Sequence, residues 1–147
     1  MIIFNTENVK LQNFRKRIIS QWIKTIAEKF GKRVGEISYI FCTDSKILEV
    51  NLEYLNHDYY TDIITFDYSE NDTISGDIFI SIDTVRSNAE KFGELYEKEL
   101  KRVIIHGILH LCGIDDKAPG ARSIMEKNEN DALEIYENLR LKNETDK

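Results

Sequence analysis

The sequence predicts an α+β fold in a single domain. Four short stretches rich in β-branched and aromatic residues predict strands, and five longer stretches with helical spacing of apolar residues predict helices. These elements alternate irregularly along the chain, so an α+β arrangement is favoured over a regular strand–helix–strand repeat. The chain has 147 residues, 41% of them hydrophobic, which fits one domain over residues 1–147 with a core of its own.

The first half of the chain is predicted to contain two strands and two helices. The strands cover residues 1–5 and 36–43. The first helix covers residues 11–30 and ends at Gly31, because apolar side chains recur there at helical spacing: Leu11, Phe14, Ile18, Trp22 and Ile26. The second helix covers residues 44–55, with Asp44 or Ser45 as its N-terminal cap.

The second half is predicted to contain two strands and three helices. The strands cover residues 61–68 and 77–82, joined by a polar connection. The helices cover residues 83–92, 96–112 and 123–141, the first starting at Asp83 or Thr84. Gly93 and Gly113 follow two of these helices and are suited to end them. The tail from about residue 142 is expected to be disordered.

The composition favours a cytoplasmic protein and argues against several other classes. The two cysteines, Cys42 and Cys112, are far apart and form no CxxC motif, so neither a disulfide framework nor a cysteine zinc site is expected. Free thiols are typical of a reducing cytosol. No signal peptide and no apolar run of membrane-spanning length is recognisable, so no membrane partner is expected.

The charge of the chain is distributed unevenly. The net charge is −6, yet residues 1–33 hold eight lysines and arginines against two glutamates, so that segment carries +6 and the remainder −12. A basic helix on an acidic body could follow a phosphate backbone. On charge alone, however, a solvated helix face on an acidic protein is the favoured interpretation.

The segment HGILHLCGIDD, residues 106–116, carries the strongest chemical signal. His106 and His110 are four residues apart, so on a helix of about 3.6 residues per turn they lie on one face. Apolar residues cover most of the remaining circumference. Burying the imidazoles without partners would cost about 1–3 kcal/mol each. A divalent cation satisfies both at once, because a neutral imidazole offers a nitrogen lone pair.

Two further residues match a metal site in their spacing. Gly113 can end the helix in a left-handed conformation and return the chain, and Asp116 then follows as a third ligand. The pattern H-x3-H-x2-G-x2-D follows the spacing of the metzincin signature. Two histidines and one carboxylate form an accepted catalytic zinc set. The alternative is a pair of core histidines bonded to carboxylates or carbonyls, which the combined spacing disfavours. A peptidase is disfavoured because Gly107 occupies the position of the zincin glutamate.

The sequence resembles the YbeY family of bacterial endoribonucleases over residues 37–133. HGILHLCGIDD resembles the family signature H-G-x-L-H-L-x-G-x-D-H. Upstream, NLEYLNHDYYTDIITF is similar to the family's N-x-x-Y-R followed by P-T-D-V-L-S-F, and SGDIFIS is similar to G-D-I-x-I-S. The resemblance implies a mixed sheet beside a helix bundle, with one zinc-like ion at the mouth of a cleft.

The resemblance also implies roles for individual residues. His106 and His110 match the first two metal histidines of the family, and Asp116 stands where the third histidine is expected. A carboxylate there shifts the preference of the site toward harder metals. Asp62 and Asp77 match family aspartates and are candidates for binding substrate. The loop arginine of the family falls on Leu55, which removes a cation that could hold a phosphate.

The function implied by the resemblance is a metal-dependent endoribonuclease specific for single strands. It would act in maturation of the 16S ribosomal RNA 3′ end and in ribosome quality control, with ribosomal RNA and the small ribosomal subunit as partners. One divalent metal ion is expected, with zinc favoured. No residue is assigned as general acid or base. Two alternatives remain: a non-catalytic ribosome assembly factor with a structural metal, and another metallohydrolase.

Overall fold

The computed structural model describes residues 1–55, 61–114 and 116–145 and has the predicted α+β architecture. The strands are β1 (Ile2–Thr6), β2 (Arg33–Cys42), β3 (Ile63–Asp67) and β4 (Thr73–Ser81). The helices are α1 (Lys16–Lys29), α2 (Asp44–Val50), α3 (Ile82–Lys91), α4 (Tyr96–Leu111) and α5 (Ala121–Thr145). A π-helical segment, Asn51–Leu55, continues α2.

The strands form one mixed sheet in the order β1-β2-β4-β3. The β1–β2 and β2–β4 pairs are parallel, and the β3–β4 pair is antiparallel. The short connection between β3 and β4 requires the antiparallel pairing, because parallel neighbours need a longer crossover. The mixed sheet that the resemblance implied is therefore confirmed.

The main core lies between one face of the sheet and helices α1, α3, α4 and α5. Helix α4 is its central element, and most of its side chains between Leu100 and Leu111 are buried. Two buried hydrogen bonds link the layers: the Tyr39 hydroxyl donates to the Ile104 carbonyl at 2.9 Å, and Trp22 Nε1 donates to the Ala132 carbonyl at 2.7 Å. Each satisfies a polar atom that would otherwise be costly to bury.

The opposite face of the sheet is covered more sparsely. A second, smaller cluster packs α2 against β3 and the ends of β2 and β4, and consists of Cys42, Ile47, Val50 and Ile64. Phe66 and Phe79 pack beside it and are partly buried. The two faces of β3 and β4 therefore differ, because alternate residues of a strand point to opposite sides.

Helix α1 begins later than predicted. Leu11 and Phe14 pack against the core, which explains their apolar character, but Asn13 has a positive φ of 54° that interrupts any helix there. The apolar spacing of residues 11–15 thus reflects packing alone. The predicted caps also shift by a few residues, since the Thr43 and Ser81 side chains cap α2 and α3.

The C-terminal helix is longer than predicted. The prediction ended this helix at residue 141, but α5 continues through Thr145. Side-chain bonds within the last turns support this extension. The Arg140 guanidinium donates to Glu137 and Glu144 at 2.9 Å each, and Asn143 Nδ2 donates to the Leu139 carbonyl at 2.7 Å. Pairs three and four residues apart stabilise helix ends in this way.

No helix among residues 1–55, 61–114 and 116–145 has the length and apolarity to cross a membrane. The predicted loop of residues 56–60 lies outside the described residues.

Candidate active site

The end of α4 folds as the glycine in the motif predicts. Gly113 has a φ of +99°, in the region that other residues rarely adopt. The Gly113 amide donates to the His110 carbonyl at 3.0 Å, and the Ile114 amide donates to the Leu109 carbonyl at 3.0 Å. These two bonds are those of a Schellman C-cap, which reverses the chain after a helix. The reversal brings Asp116 back alongside α4.

Gly107 allows α4 to lie directly on the sheet. A Cβ atom at this position would lie 3.1 Å from Ile78 Cδ1 and 3.2 Å from Ile63 Cδ1. The residue after the first histidine therefore faces the buried strands, away from any open site. A glutamate at this position would be buried in the core, which is the physical reason that the chain lacks a zincin-type base here.

His106 is held between two carboxylates. Its Nδ1 lies 2.8 Å from Glu129 Oε2, and its Nε2 lies 3.4 Å from Asp116 Oδ2. Glu129 comes from α5 and Asp116 from the returning loop. The two ring nitrogens thus have different partners, and the structure brings two of the three predicted metal ligands side by side.

A network of charged side chains lies on the Nδ1 side of His106. Arg102, one turn earlier on α4, lies 3.2 Å from Glu129 Oε1 through Nη1. The same guanidinium lies 3.6 Å from Glu99 Oε1 through Nε and 3.3 Å from Asn130 Oδ1 through Nη1. Glu99 and Glu129 are both only 7% exposed. Arg102 partly balances the charge of these two buried carboxylates, which would otherwise be expensive to ionise.

The pKa of His106 is raised by its surroundings. Burial by itself lowers the pKa, but the hydrogen bond and the charge of Glu129 raise it, and the charges of Asp116 and Asp62 add to this. Two carboxylates, those of Glu129 and Asp116, contact this imidazole, and a third, that of Asp62, acts on it through its charge. This cluster of negative charge favours a cation at the ring.

Asp62 lies next to this cluster at the start of β3. Its backbone carbonyl accepts a hydrogen bond of 2.9 Å from the Ser81 amide, which anchors this end of the strand. Burial raises the pKa of the Asp62 carboxyl, although the positive charge of His106 and local hydrogen bonds oppose the rise. A half-buried carboxyl with a raised pKa is a candidate for proton transfer. This predicted substrate-binding residue interacts electrostatically with His106.

Asp77 lies elsewhere. It pairs with Phe66 in the β3–β4 register, on the sheet face that carries the smaller cluster, whereas its neighbour Ile78 faces α4. Desolvation raises the pKa of the Tyr68 hydroxyl, and the negative charge of Asp77 adds to this rise. Of the two family aspartates, Asp62 is the one that interacts electrostatically with His106.

The predicted three-residue metal set is assembled only in part. Within residues 1–55, 61–114 and 116–145, no group of three or more His, Cys, Asp or Glu side chains is arranged to hold a metal ion. His106 and Asp116 adjoin, while His110 is exposed in the last turn of α4. The chemistry of the pair nevertheless fits a divalent cation: a ring nitrogen faces a carboxylate, and the other ring nitrogen is held by a second carboxylate, as in most metal-binding histidines.

Arg15, one of the basic residues of the N-terminal segment, lies away from His106. Arg15 and Ile19 line a cleft together with Leu100, Lys101 and Ile104 of α4. Lys101 and Ile104 lie more than about 120° around the helix axis from His106, at about 3.6 residues per turn. Leu55, where the family has an arginine, is 41% exposed at the end of the π-helical segment.

The sequence interpretation missed Glu129, Arg102 and Glu99. A signal for Glu129 was present, because it lies on the buried stripe of α5 formed by Met125, Ala132 and Tyr136. A carboxylate within such a stripe indicates a buried polar partner. The identity of that partner depends on how α5 packs on α4, which the spacing of residues within one helix does not reveal.

Comparisons with known proteins identify the family and the fold. The family model of endoribonuclease YbeY matches residues 1–137. An endoribonuclease YbeY from Phocaeicola vulgatus is 66% identical over 135 residues, covering 92% of this chain and 98% of that protein. Another from Bacteroides thetaiotaomicron is 64% identical over 132 residues, covering 90% and 96%. The solution structure of TM1509 from Thermotoga maritima has a TM-score of 0.69 at 26% identity, covering 100% of this chain and 96% of that one.

Proposed function

The chain belongs to the endoribonuclease YbeY family, and from that premise we propose that it is a metal-dependent endoribonuclease that cleaves single-stranded RNA during ribosomal RNA maturation. The proposed target is the 3′ end of 16S ribosomal RNA. The observation that carries the proposal is the placement of His106 between Glu129 and Asp116, with Asp62 adjacent. This arrangement offers a cation-binding group and a carboxyl suited to proton transfer at one end of α4.

The charge of the site supports a role for a metal ion. Asp62, Asp116 and Glu129 bring negative charge to His106, and Glu99 and Glu129 contact Arg102. An RNA phosphate would be repelled by this group unless a cation offset its charge. His106 and Asp116, joined by His110, would hold one divalent ion, with zinc favoured. A bound ion of this kind supplies a Lewis acid for the scissile phosphate and lowers the pKa of a bound water.

Asp62 has the features of the proton-transfer group. Its carboxyl is half-buried, its pKa is raised, and it interacts electrostatically with His106. In hydrolysis of a phosphodiester, the attacking water loses a proton as its oxygen bonds to phosphorus, and the leaving ribose oxygen gains one. The Asp62 carboxylate would accept the proton from the water. Asp77 lies on the sheet face that carries the smaller cluster.

The experiment that tests the proposal uses purified protein and structured ribosomal RNA with a defined single-stranded 3′ extension. We expect a cut within the extension that is lost on chelation, restored by a divalent metal, and abolished by His110→Ala. Lys127→Ala is the matched control, because Lys127 is exposed on α5. A cut that persists in the presence of chelator would contradict metal dependence.

A second candidate is a ribosome assembly factor without nuclease activity. The observation that favours it is Leu55, an exposed apolar side chain where the family has an arginine for phosphate. The same preparation distinguishes the candidates. Tight binding to the small ribosomal subunit without any cut would support the assembly factor, and the role in ribosome quality control would then not involve cleavage by this chain. Either candidate acts in the cytoplasm.

A further inference from the structure

We propose that Glu129, braced by Arg102, is a positioning residue that fixes the His106 ring with its proton on Nδ1 and its Nε2 directed at Asp116. The ring orientation does not require a bound metal ion. Only its effect on metal affinity rests on the function proposed above. No motif in the sequence marks either Glu129 or Arg102 for such a role.

The two oxygens of Glu129 are divided between two partners. Oε2 lies 2.8 Å from His106 Nδ1, and Oε1 lies 3.2 Å from Arg102 Nη1. An ionised carboxylate can only accept hydrogen bonds, so the close contact with Nδ1 requires that nitrogen to carry the proton. In the neutral ring, the lone pair is then on Nε2, on the side where Asp116 lies at 3.4 Å.

Arg102 holds Glu129 in place. The Glu129 side chain is almost fully buried, and Arg102 Nη1 lies 3.2 Å from its Oε1. The same guanidinium also contacts Glu99 and Asn130, so its planar group is held from several sides. Arg102 and His106 are one turn apart on α4, and Glu129 of α5 spans both. The contact between these helices thus sets the orientation of the ring.

A positioning role and a purely structural role of Glu129 lead to different experimental results. A bridge that only joins α4 to α5 would contribute stability, and its loss would leave the ring chemistry unchanged. A positioning contact also determines which ring nitrogen is protonated, because without the carboxylate the ring can turn over and exchange its two nitrogens. The tautomer of His106 therefore separates the two roles.

The first measurement is the tautomer of His106 by nitrogen-15 NMR of the metal-free protein, at a pH where the imidazole is neutral. We expect Nδ1–H to predominate in the wild type. In Glu129→Gln and Glu129→Leu we expect a mixture or a reversal. Glu137→Gln is the matched control, because Glu137 is an exposed carboxylate on the same helix that pairs with Arg140. It should leave the tautomer unchanged.

The second measurement is the affinity for zinc alone, by competition with a chromophoric chelator. Residues that orient a metal-binding histidine typically contribute about 10–100-fold in affinity. We expect a loss in this range for Glu129→Gln and a smaller loss for Arg102→Lys, which keeps the charge but not the planar group. Glu137→Gln should bind zinc as the wild type does.

Each result decides between the two roles. A folded Glu129→Gln protein with the wild-type tautomer and a lower melting temperature would overturn the proposal and leave a structural bridge. If Glu129→Leu does not fold, Glu129→Gln and Arg102→Lys still test it. If the wild type cleaves no RNA and binds no zinc, the proposed function fails, but the tautomer measurement still decides the role of Glu129.

Discussion

Helix α4 presents two contrasting polar regions on opposite sides. On one side, His106 and Arg102 are bonded at defined distances to carboxylates from α4, α5 and the loop after Gly113. On the other side, Lys101 lies half-buried with its Nζ 4.3 Å from the centroid of the Tyr136 ring. Burial lowers the pKa of Lys101, against the opposing charges of Glu97 and Glu137. On the first side, directional hydrogen bonds and ion pairs orient the His106 ring. On the second side, the contact between the Lys101 ammonium and the Tyr136 ring is a cation–π interaction, which constrains the lysine less.

The second region borders a cleft of about 320 Å³ between α1, α4 and α5. Its floor is apolar, and at its rim Arg15 and Arg140 both pair with Glu144. Glu144 thus offsets part of the positive charge at this rim. The contrast shows that a half-buried charged side chain on α4 is not enough to form a reactive site. The side chain also needs bonding partners in a fixed arrangement.

The largest expected effect comes from placing a zincin-type glutamate after the first histidine. Gly107→Glu should destabilise the protein by more than about 4 kcal/mol, because the side chain would meet Ile63 and Ile78 and carry an unpaired charge into the core. We expect little soluble protein, or a melting temperature far below that of the wild type. Lys127→Glu, an exposed change on α5, should be close to neutral. A stable Gly107→Glu protein would mean that α4 does not pack as closely as described.

The next largest effect is expected when His106, a proposed metal ligand, is replaced. Under the proposed function, wild-type protein should contain about one divalent ion per chain, and His106→Ala should contain none and lose about 100-fold or more of its cleavage rate. Metal analysis by mass spectrometry measures the first result. Asp116→Ala tests the carboxylate that replaces the third family histidine, and unchanged metal affinity there would show that Asp116 is not a ligand.

A moderate effect is expected at the buried link between α1 and α5. Trp22→Phe removes the hydrogen bond to the Ala132 carbonyl and part of the edge-on contact with Tyr136. The expected loss is about 1–3 kcal/mol in the free energy of unfolding, measured with urea. Phe92→Leu, at a ring that is 66% exposed, is the control and should change stability by less than about 0.5 kcal/mol. An equal loss in both variants would contradict the packing described.

The smallest effect concerns Lys101 and depends on pH. Because its pKa is lower in the folded than in the unfolded state, the folded protein binds fewer protons over the interval between the two values. This group therefore makes the wild type more stable as pH rises toward about 10.4, the ordinary pKa of a lysine. Relative to Lys101→Met, the unfolding free energy of the wild type should rise between pH 8 and 10. A constant difference would show that Lys101 is not desolvated in the folded state.

Most of the fold was predictable because it depends on local pattern. Among the residues that the structure describes, the four strands and five α-helices follow from apolar spacing, and the left-handed Gly113 follows from the position of a glycine after a helix. The start of α1 was wrong, because Leu11 and Phe14 are apolar for packing and not for helix formation. The end of α5 was wrong, because charged pairs within its last turns extend it.

The sequence by itself determined which groups stand at the end of α4: two histidines one turn apart, a glycine that reverses the chain and a carboxylate at residue 116. The tertiary structure alone decided how these groups meet. It brings Asp116 back to His106, and it joins His106 to Glu129 across two helices. The reason is physical: spacing within one element sets which side chains share a face, but contacts between residues 23 positions apart depend on how separate elements pack.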